Sequence, residues 1–211
     1  DELLNAMLCS LRGSVCLYQG EELGLSEAEV PYEALRDPYG IAFWPNFKGR
    51  DGCRTPMPWT DDAYGGFSGG APWLPVPAAH RAASVSQQER DSDSVLNAFR
   101  IFLRWRKTQP ALIRGSIRML ETLEPVLAFV RAHAGEEILA AFNLSAAEVR
   151  VELPLEGTES LDGHGLPNGV HADGRVTLPA FGVLYARAKR TAVSSPLAGE
   201  DARRAGEGAR A

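Results

Sequence analysis

The stretch LLNAMLCSLRGSVCLY, from Leu3 to Tyr18, decides the fold class of the first part of the chain. Its large apolar residues recur at helical spacing, and Gly13 follows them as a helix stop. The next residues, 14–18, form a continuous apolar run rather than an alternating one, which is typical of a strand buried on both faces. A helix followed by such a strand predicts an α/β barrel or a doubly wound sheet. The helical stripe comprises Leu3, Leu4, Met7, Leu8 and Leu11.

A long segment between Asp37 and about His80 is dense in proline, glycine and aromatic residues. Such a composition permits neither a long helix nor a regular strand. Its aromatic content is too high for a disordered linker, so it predicts a long ordered loop, a type of segment that is typically functional. A helix is predicted next, with Asp93 or Ser94 as its N-cap, and it ends before Pro110.

Short strand-like segments separated by turns fill the rest of the chain. Ala134-Gly135 lies between two of them and predicts a β-hairpin. The pattern predicts an antiparallel β-domain at residues 114–187, after an α/β part at 1–113 and before a disordered tail at 188–211. The predicted strands are Ser116–Leu120, Val126–Ala132, Glu137–Leu144, Glu148–Leu153, Arg175–Leu178 and Gly182–Ala186.

The composition is that of a soluble globular protein, with 45% hydrophobic and 23% charged residues among 211. The net charge of −5 argues against nucleic acids and acidic membranes as partners. No uncharged apolar run reaches the length of a membrane span. The three cysteines, Cys9, Cys16 and Cys53, form no CxxC pair. This spacing argues against a zinc site or a disulfide framework and predicts reduced, buried thiols in a cytoplasmic protein.

Two acidic residues, Glu21 and Glu22, follow the predicted buried strand, where barrel enzymes build their active sites. Glycoside hydrolysis needs two carboxyl groups about 5–5.5 Å or 6.5–9.5 Å apart, on opposite sides of the scissile bond. Neighbouring residues in an extended segment point in opposite directions, which disfavours such convergence. We therefore expect these acids to bind backbone amides or an arginine rather than to act in catalysis.

The segment GRDGCRTPMPW, from Gly49 to Trp59, is the strongest candidate for a binding site. Arg50 and Arg54 are four residues apart in a stretch that prolines stiffen. A guanidinium presents five donors in a fixed fork, which suits either the vicinal hydroxyls of a sugar or a buried carboxylate. The spacing alone leaves open a structural role, in which an Arg50–Asp51 or an Arg54–carboxylate bridge pins the loop.

The same segment resembles the Arg-Asp-x-x-Arg-Thr-Pro-Met-x-Trp signature of α-glucosidases and oligo-1,6-glucosidases of glycoside hydrolase family 13, in the α-amylase superfamily. The resemblance continues in collinear order over residues 1 to about 187. It implies the C-terminal part of a (β/α)8 TIM barrel, comprising the last strand, a long loop and the last helix, followed by an antiparallel β-sandwich domain. The other matching segments are Gly13–Gly24, Gly65–Ser68, Pro72–Val76, Ser94–Lys107, Val126–Phe129 and Ala141–Leu144.

The resemblance implies substrate-binding residues but no catalytic ones. It implies that Arg50 and Arg54 hold the terminal glucosyl unit, directly or through acids of the pocket. Glu33 would line the pocket mouth, the alternative being a surface helix acid. The family's nucleophile, acid/base and stabilising aspartate belong to earlier barrel segments, and no residue here matches them. No cofactor and no metal are implied. The histidines are expected to be solvated or structural; they are His80, His133, His164 and His171.

The function implied by the resemblance is hydrolysis of terminal α-glucosidic bonds in short oligosaccharides, with retention, in carbohydrate metabolism. Family transglycosylases and sucrose isomerases share these loops, and non-enzymatic subunits of amino-acid transporters resemble the family, so both remain alternatives. The chain is expected to be a C-terminal fragment that is inactive without its partner, the missing N-terminal part of the barrel. The N-terminal third is expected to fold poorly alone, and the β-domain to be independently stable.

Overall fold

A five-stranded antiparallel sheet forms the middle layer of the computed structural model, which describes residues 2–154, 158–172 and 175–188. The strands of the molecule are β1 (Ser116–Met119), β2 (Val126–His133), β3 (Glu136–Asn143), β4 (Val149–Glu152), β5 (Thr158–Ser160), β6 (Val170–Ala172), β7 (Arg175–Leu178) and β8 (Val183–Ala188). The middle sheet has the order β1-β2-β3-β8-β5. Ala134 (φ 50°) and Gly135 (φ 81°) join β2 to β3, which confirms the predicted hairpin.

A three-stranded antiparallel sheet with the order β4-β7-β6 packs on one face of the middle sheet. Leu139 and Leu184 of the middle sheet share an apolar cluster with Val151 and Leu178 of the smaller one. The predicted antiparallel β-sandwich is therefore confirmed. Strands β5 and β6 were not predicted from the sequence, because three residues are too few to give a periodic pattern.

Helices cover the opposite face of the middle sheet. The helices of the molecule are α1 (Glu2–Ser10), α2 (Pro38–Ala42), α3 (Ala78–Ala82), α4 (Val85–Gln88), α5 (Val95–Lys107) and α6 (Pro110–Arg114). Three of them, α1, α5 and α6, pack on the sheet. Because both faces of the middle sheet are buried, β3 is buried at nearly every position. The core between helices and sheet includes Leu3, Ala6, Phe99, Phe102, Leu112, Phe129, Ile138, Phe142, Val183 and Tyr185.

The first helix buries part of the predicted stripe, because Leu3 lies in the core and Met7 and Leu11 pack against it. Leu3, Ala6 and Cys9 belong to the core, whereas Leu4 is 54% exposed. Small residues on this stripe let α1 lie close to the sheet, and the Ser10 hydroxyl is 2.7 Å from the phenolic oxygen of Tyr185. The buried face therefore combines part of the predicted stripe with small residues that the prediction did not include.

The helix predicted after Ser94 is confirmed. The Ser94 hydroxyl accepts a hydrogen bond from the Asn97 N–H at 3.3 Å, as an N-cap does. The helix ends at Lys107, and Pro110 begins the short α6 at a position where its missing N–H costs no hydrogen bond.

The strand predicted at residues 14–18 is wrong, because these residues form no strand and are exposed. No strand among residues 2–154, 158–172 and 175–188 pairs with them. A parallel strand satisfies its backbone groups only between neighbouring strands. The apolar run therefore remains on the surface here.

The segment from residue 19 to residue 94 contains only short helical turns, as its proline content predicts. Two small apolar clusters hold it together, one of Leu23, Met57 and Leu96 and the other of Val30, Leu35 and Leu74. Besides α2, α3 and α4, it forms 3-10 turns at Glu21–Leu23, Tyr32–Ala34 and Asp51–Cys53.

The three thiols are free, and only Cys9 is buried. The expectation of buried thiols is therefore wrong for Cys16 and Cys53, which lie on exposed loops. Across the described ranges, no helix has the length and hydropathy needed to span a membrane. The expected disordered tail lies outside the described residues from position 189 onward.

Candidate functional site

The 3-10 turn Asp51–Cys53 brings Arg50 and Arg54 to the same carboxylate. Arg50 precedes the turn and Arg54 follows it, with the Arg54 N–H bonded to the Asp51 carbonyl at 3.0 Å. Their guanidinium nitrogens lie 3.8 and 3.9 Å from Asp37 Oδ2. The arginine side chains are 66% and 43% exposed, whereas that of Asp37 is 4% exposed. The site thus presents two cations at the surface, above one buried anion.

The Asp37 carboxylate is fixed by backbone hydrogen bonds. Its Oδ2 accepts the Arg50 N–H at 2.9 Å, and its Oδ1 accepts the Tyr39 N–H at 3.0 Å as the N-cap of α2. The Arg50 N–H lowers the pKa of Asp37 most, and the Tyr39 N–H and the two guanidinium charges lower it further, against the opposing effect of burial. The carboxylate therefore stays ionised and holds its place between the arginines.

A second buried carboxylate, that of Asp51, binds the backbone of the loop that contains Asp37. Its Oδ2 accepts the backbone N–H groups of Arg36 and Asp37, the latter at 2.7 Å. The aspartates therefore bind each other's loops reciprocally. The proposed Arg50–Asp51 bridge is wrong, whereas a bridge from Arg54 to a carboxylate is present and goes to Asp37.

Two glycines allow the loops to approach this closely. Gly49 adopts φ 74°, and a Cβ there would lie 2.9 Å from the Cβ of Asp37. A Cβ on Gly52 would lie 2.4 Å from the Ala28 carbonyl oxygen. These contacts explain the two glycines of the GRDGC sequence: a side chain at either position would force the loop away from its neighbours.

The segment that follows Arg54 is held by the interior of the molecule. The Thr55 hydroxyl lies 3.2 Å from His80 Nδ1, and His80 Nε2 lies 2.8 Å from the Ser26 carbonyl oxygen. The Thr55 carbonyl accepts a hydrogen bond from Gln19 Nε2 at 3.0 Å. These residues line a cavity of about 200 Å³ beside the arginine turn. His80 is buried in α3 and structural rather than solvated.

Glu33 lies on the exposed 3-10 turn Tyr32–Ala34. It makes no hydrogen bond or ion pair with any residue that the structure describes. The neighbouring Tyr32 packs against Trp44, with ring centroids 5.7 Å apart. The structure thus pairs the arginines with Asp37 rather than with Glu33, whose assignment to the pocket mouth stays a prediction.

Glu21 and Glu22 bind amides of their own loop. Glu21 Oε2 accepts the Tyr18 N–H at 3.1 Å, and Glu22 Oε2 accepts the Gly20 N–H at 2.8 Å. The expectation that these acids bind backbone amides is confirmed. They are not arranged as a convergent acid pair.

The nine aromatic side chains between residues 32 and 73, in the segment that contains the arginine turn, are all exposed. Aromatic faces stack on the apolar faces of sugar rings, and they also form the centres of protein interfaces. Within the described parts of the chain, no group of three or more His, Cys, Asp and Glu side chains could hold a metal ion. The exposed aromatic residues are Tyr32, Tyr39, Phe43, Trp44, Phe47, Trp59, Tyr64, Phe67 and Trp73.

The contacts that Asp37, Asp51 and His80 make at this site were not predicted from the sequence. Asp37 had a local signal, since an aspartate before a proline is typical of a helix N-cap, and α2 begins there. The partners of the other two lie 14 to 54 residues away in sequence, and no local pattern indicates such contacts.

Comparison with known proteins places the chain among carbohydrate-active enzymes. The family model "Alpha amylase, catalytic domain" matches residues 1–115, and the model "D-apionate lactonase, C-terminal immunoglobulin-like domain" matches residues 124–186. The chain is 50% identical over 186 residues to a probable alpha-glucosidase of Rhizobium meliloti (strain 1021), covering 88% of this chain and 34% of that protein. It is 29% identical over 174 residues to an oligo-1,6-glucosidase of Bacillus cereus, covering 72% and 31%.

Among solved structures, the crystal structure of an alpha-glucosyl transfer enzyme, XgtA, matches with a TM-score of 0.86 and 57% identity. The match covers 89% of this chain and 35% of XgtA. The chain thus spans about a third of the length of the relatives it matches.

Proposed function

The chain belongs to the α-amylase family of glycoside hydrolases, and we propose that it supplies about the C-terminal third of an α-glucosidase. The enzyme hydrolyses terminal α-glucosidic bonds of short oligosaccharides in carbohydrate metabolism. One observation carries the role of this chain: Arg50 and Arg54 are held at the surface above the buried carboxylate of Asp37.

In this proposal the two guanidiniums donate hydrogen bonds to hydroxyls of the terminal glucosyl unit. Asp37 neutralises part of their charge, while their exposed N–H groups remain free for a ligand. Exposed aromatic residues such as Trp44 and Trp59 supply stacking surfaces, and Glu33 lines the mouth of the pocket. Arg50, Arg54 and Glu33 are the proposed substrate-binding residues of the chain.

The chemistry is proposed to come from carboxylates in the rest of the barrel. Retention requires a carboxylate nucleophile, a glycosyl-enzyme intermediate and an acid that later acts as base. Glu21 and Glu22 are bound to their own loop amides and do not replace these groups. The isolated chain is therefore proposed to be inactive.

The division of labour follows the architecture. Residues 1–113 are proposed to complete the barrel, and residues 114–187 to form the β-sandwich domain. The end of α6 at Arg114 and the start of β1 at Ser116 support this boundary.

The free thiols support a cytoplasmic location, and fractionation of cells that express the protein tests it.

The function is tested in a chimera that joins the preceding two thirds of the Rhizobium meliloti relative to this chain. We expect release of p-nitrophenol from p-nitrophenyl α-glucoside by the chimera and none by the chain alone. Arg50→Met and Arg54→Met should each raise KM about 10- to 100-fold, the effect of losing a hydrogen bond from a charged donor. Arg100→Met is the matched control, because Arg100 is 40% exposed and pairs with Glu89 at 2.8 Å on another surface.

Two outcomes would contradict the proposal. Glucose release by the purified chain, above a blank without protein, would show that the carboxylates are not supplied elsewhere. A folded, active chimera whose KM is the same in both arginine variants and in the Arg100 control would remove the arginines from the substrate site.

A second candidate, α-glucosyl transfer, is favoured by the 57% identity to an alpha-glucosyl transfer enzyme. Hydrolysis and transfer share the glucosyl pocket and differ in whether water or a second hydroxyl compound attacks the intermediate. Product analysis of the chimera with maltose and sucrose separates them. Free glucose as the main new product identifies hydrolysis, whereas longer or isomeric glucosides identify transfer.

A further inference from the structure

We propose that His80 is a positioning residue for the substrate site: it holds the main chain that carries Arg54 in place by binding the hydroxyl of Thr55. The proposal rests on the proposed glucosyl-binding role of Arg54. In this proposal α3, which lies outside the loop of residues 49–59 that carries both arginines (the arginine loop), influences how that loop binds its ligand.

The hydrogen-bond roles of His80 follow from its partners. The Ser26 carbonyl can only accept, so Nε2 carries the hydrogen in the 2.8 Å contact. In the neutral ring Nδ1 is then an acceptor, and the Thr55 hydroxyl donates to it at 3.2 Å. Both His80 and Thr55 are at least 95% buried, so the contact is shielded from bulk solvent.

The segment from α3 to α4 contacts the arginine loop at two places, and the His80–Thr55 hydrogen bond is one of them. Five residues after His80, the backbone N–H groups of Val85 and Ser86 donate to the carbonyls of Pro58 and Trp59, at 2.9 and 3.0 Å. The segment from α3 to α4 therefore binds the arginine loop at two places. Its backbone binds residues 58–59, and the His80 side chain binds Thr55. Pro56 lies between the two points and limits the freedom of the chain.

Arg54 is the residue that the Thr55 contact controls most directly. Its side chain is 43% exposed, and its guanidinium lies as far as 3.9 Å from Asp37, so this ion pair does not fix the side chain by itself. The direction of the guanidinium thus depends on the position of the backbone at residues 54–55. A misplacement of about 1 Å in a binding group is enough to weaken recognition severely.

Two matched pairs of variants separate positioning from stability. His80→Asn keeps an amide near the position of Nδ1 and loses the Ser26 contact, whereas His80→Gln reaches toward Ser26 and loses Thr55. Thr55→Ser keeps the hydroxyl, whereas Thr55→Val removes it. We expect the two variants that lose the Thr55–His80 bond to raise KM for the aryl glucoside about tenfold in the chimera, with kcat little changed.

The two variants that keep the Thr55–His80 bond, His80→Asn and Thr55→Ser, distinguish positioning from a purely structural role. Asn at position 80 should lower the Tm, because it leaves a cavity and an unpaired carbonyl, yet keep KM near that of the parent. Combining His80→Gln with Thr55→Val should raise KM no further than either alone, because both remove the same bond. An unchanged KM in His80→Gln, or a KM that simply follows Tm across all variants, would overturn the proposal.

A measurement on the chain itself separates this proposal from the proposed function. Hydrogen exchange of the peptide around residues 50–55 reports the Arg50 and Arg54 amides, which bond to Asp37 and to the Asp51 carbonyl. His80→Gln should speed their exchange at least tenfold, and His133→Gln, at the end of β2, should not. If the chimera is inactive but this exchange responds, the proposed function fails and the positioning contact stands. Unchanged exchange overturns the positioning contact whether or not the chimera is active.

Discussion

The imidazole of His164 lies beside the rings of Trp105 and Tyr185, with centroid distances of 5.4 and 5.2 Å. Its Nδ1 accepts the Leu166 N–H at 3.3 Å, which requires the neutral ring. Burial lowers the pKa of His164 below 6.5, although the Asn168 side chain and the charge of Asp162 oppose the shift.

This lowered pKa predicts the pH dependence of stability. Below pH 6.5 the unfolded chain binds a proton that the folded chain resists, so the free energy of unfolding falls as the pH falls, until the folded pKa is reached. The slope cannot exceed that of one proton, about 1.4 kcal/mol per pH unit. Urea unfolding between pH 7 and pH 5 measures it. Removing the group in His164→Gln should flatten the curve, whereas His133→Gln should not; equal slopes in both variants would contradict the assignment.

Whether a contact could be predicted from the sequence depends on how far apart its two residues lie in the chain. The Ser94 N-cap and the amide-binding role of Glu21 and Glu22 were predictable, because each contact closes within three residues. The Asp37–Arg54 pair joins residues 17 positions apart, and Arg131 binds a carbonyl 121 positions away. Such contacts depend on the tertiary path of the chain, and composition and spacing do not encode them locally.

At the scale of elements, Arg131 of β2 joins the ends of two helices to the sheet. The residue is 1% exposed, and its guanidinium donates only to backbone carbonyls. Arg106 of α5 binds a further carbonyl at the end of α1, that of Cys9. Helix C-termini carry partial negative charge and unpaired carbonyls, so these two cations replace the missing caps. The carbonyls bound by Arg131 are those of Ser10, Leu11, Leu112, Gly115 and Ser116.

Replacing this guanidinium should therefore be costly. Arg131→Met leaves several buried carbonyls unpaired, and we expect the free energy of unfolding to fall by about 3 kcal/mol or more. Arg131→Lys should lower the free energy of unfolding less than Arg131→Met, because the ammonium keeps the charge and still binds some of the carbonyls. It should remain below the parent, because the ammonium cannot reach all of them. Chemical denaturation of the chain measures both. Arg150→Met on β4 is the control, with an expected change within about 0.5 kcal/mol; a loss in Arg131→Met no larger than in this control would contradict the role.

Residues 14–18 show the limit of element prediction from a hydrophobic run. The pattern is typical of a segment suited to burial, but a strand exists only where neighbouring strands accept its hydrogen bonds. We predict that the amides of residues 14–18 exchange with solvent far faster than those of the β2–β3 hairpin, which are paired along their whole length. Exchange mass spectrometry of the chain compares the two peptides. Equal protection would mean that the run is paired in solution.

At the scale of the molecule, the predicted fold class is confirmed: a C-terminal part of an α-amylase-type barrel precedes an antiparallel β-sandwich. Short strand-like segments separated by turns were sufficient to predict the antiparallel β-domain, and the family resemblance implied the sandwich. The sequence did not indicate that the second face of the middle sheet is buried as well, since that depends on where α1, α5 and α6 dock. The two parts of the chain consequently share one core.

A shared core argues against the expectation that the β-domain is stable independently. Excision at residue 114 would expose Phe129, Ile138, Phe142, Val183 and Tyr185, which the helices cover in the chain. Each large apolar side chain contributes about 1.5–3 kcal/mol when buried, so the loss is comparable with the total stability of a domain, about 5–15 kcal/mol. We therefore predict that a fragment of residues 114–188 does not unfold cooperatively.

Circular dichroism melts and amide chemical-shift dispersion test this prediction. A fragment of residues 94–188 is the matched control, because it retains α5 and α6 and with them Phe99, Phe102 and Leu112. It should recover a cooperative transition, at a lower Tm than the full chain because α1 is still absent. If the shorter fragment melts as cooperatively as the longer one, the helices cover the sheet without stabilising it. The sandwich would then be an autonomous domain rather than one half of a joint core.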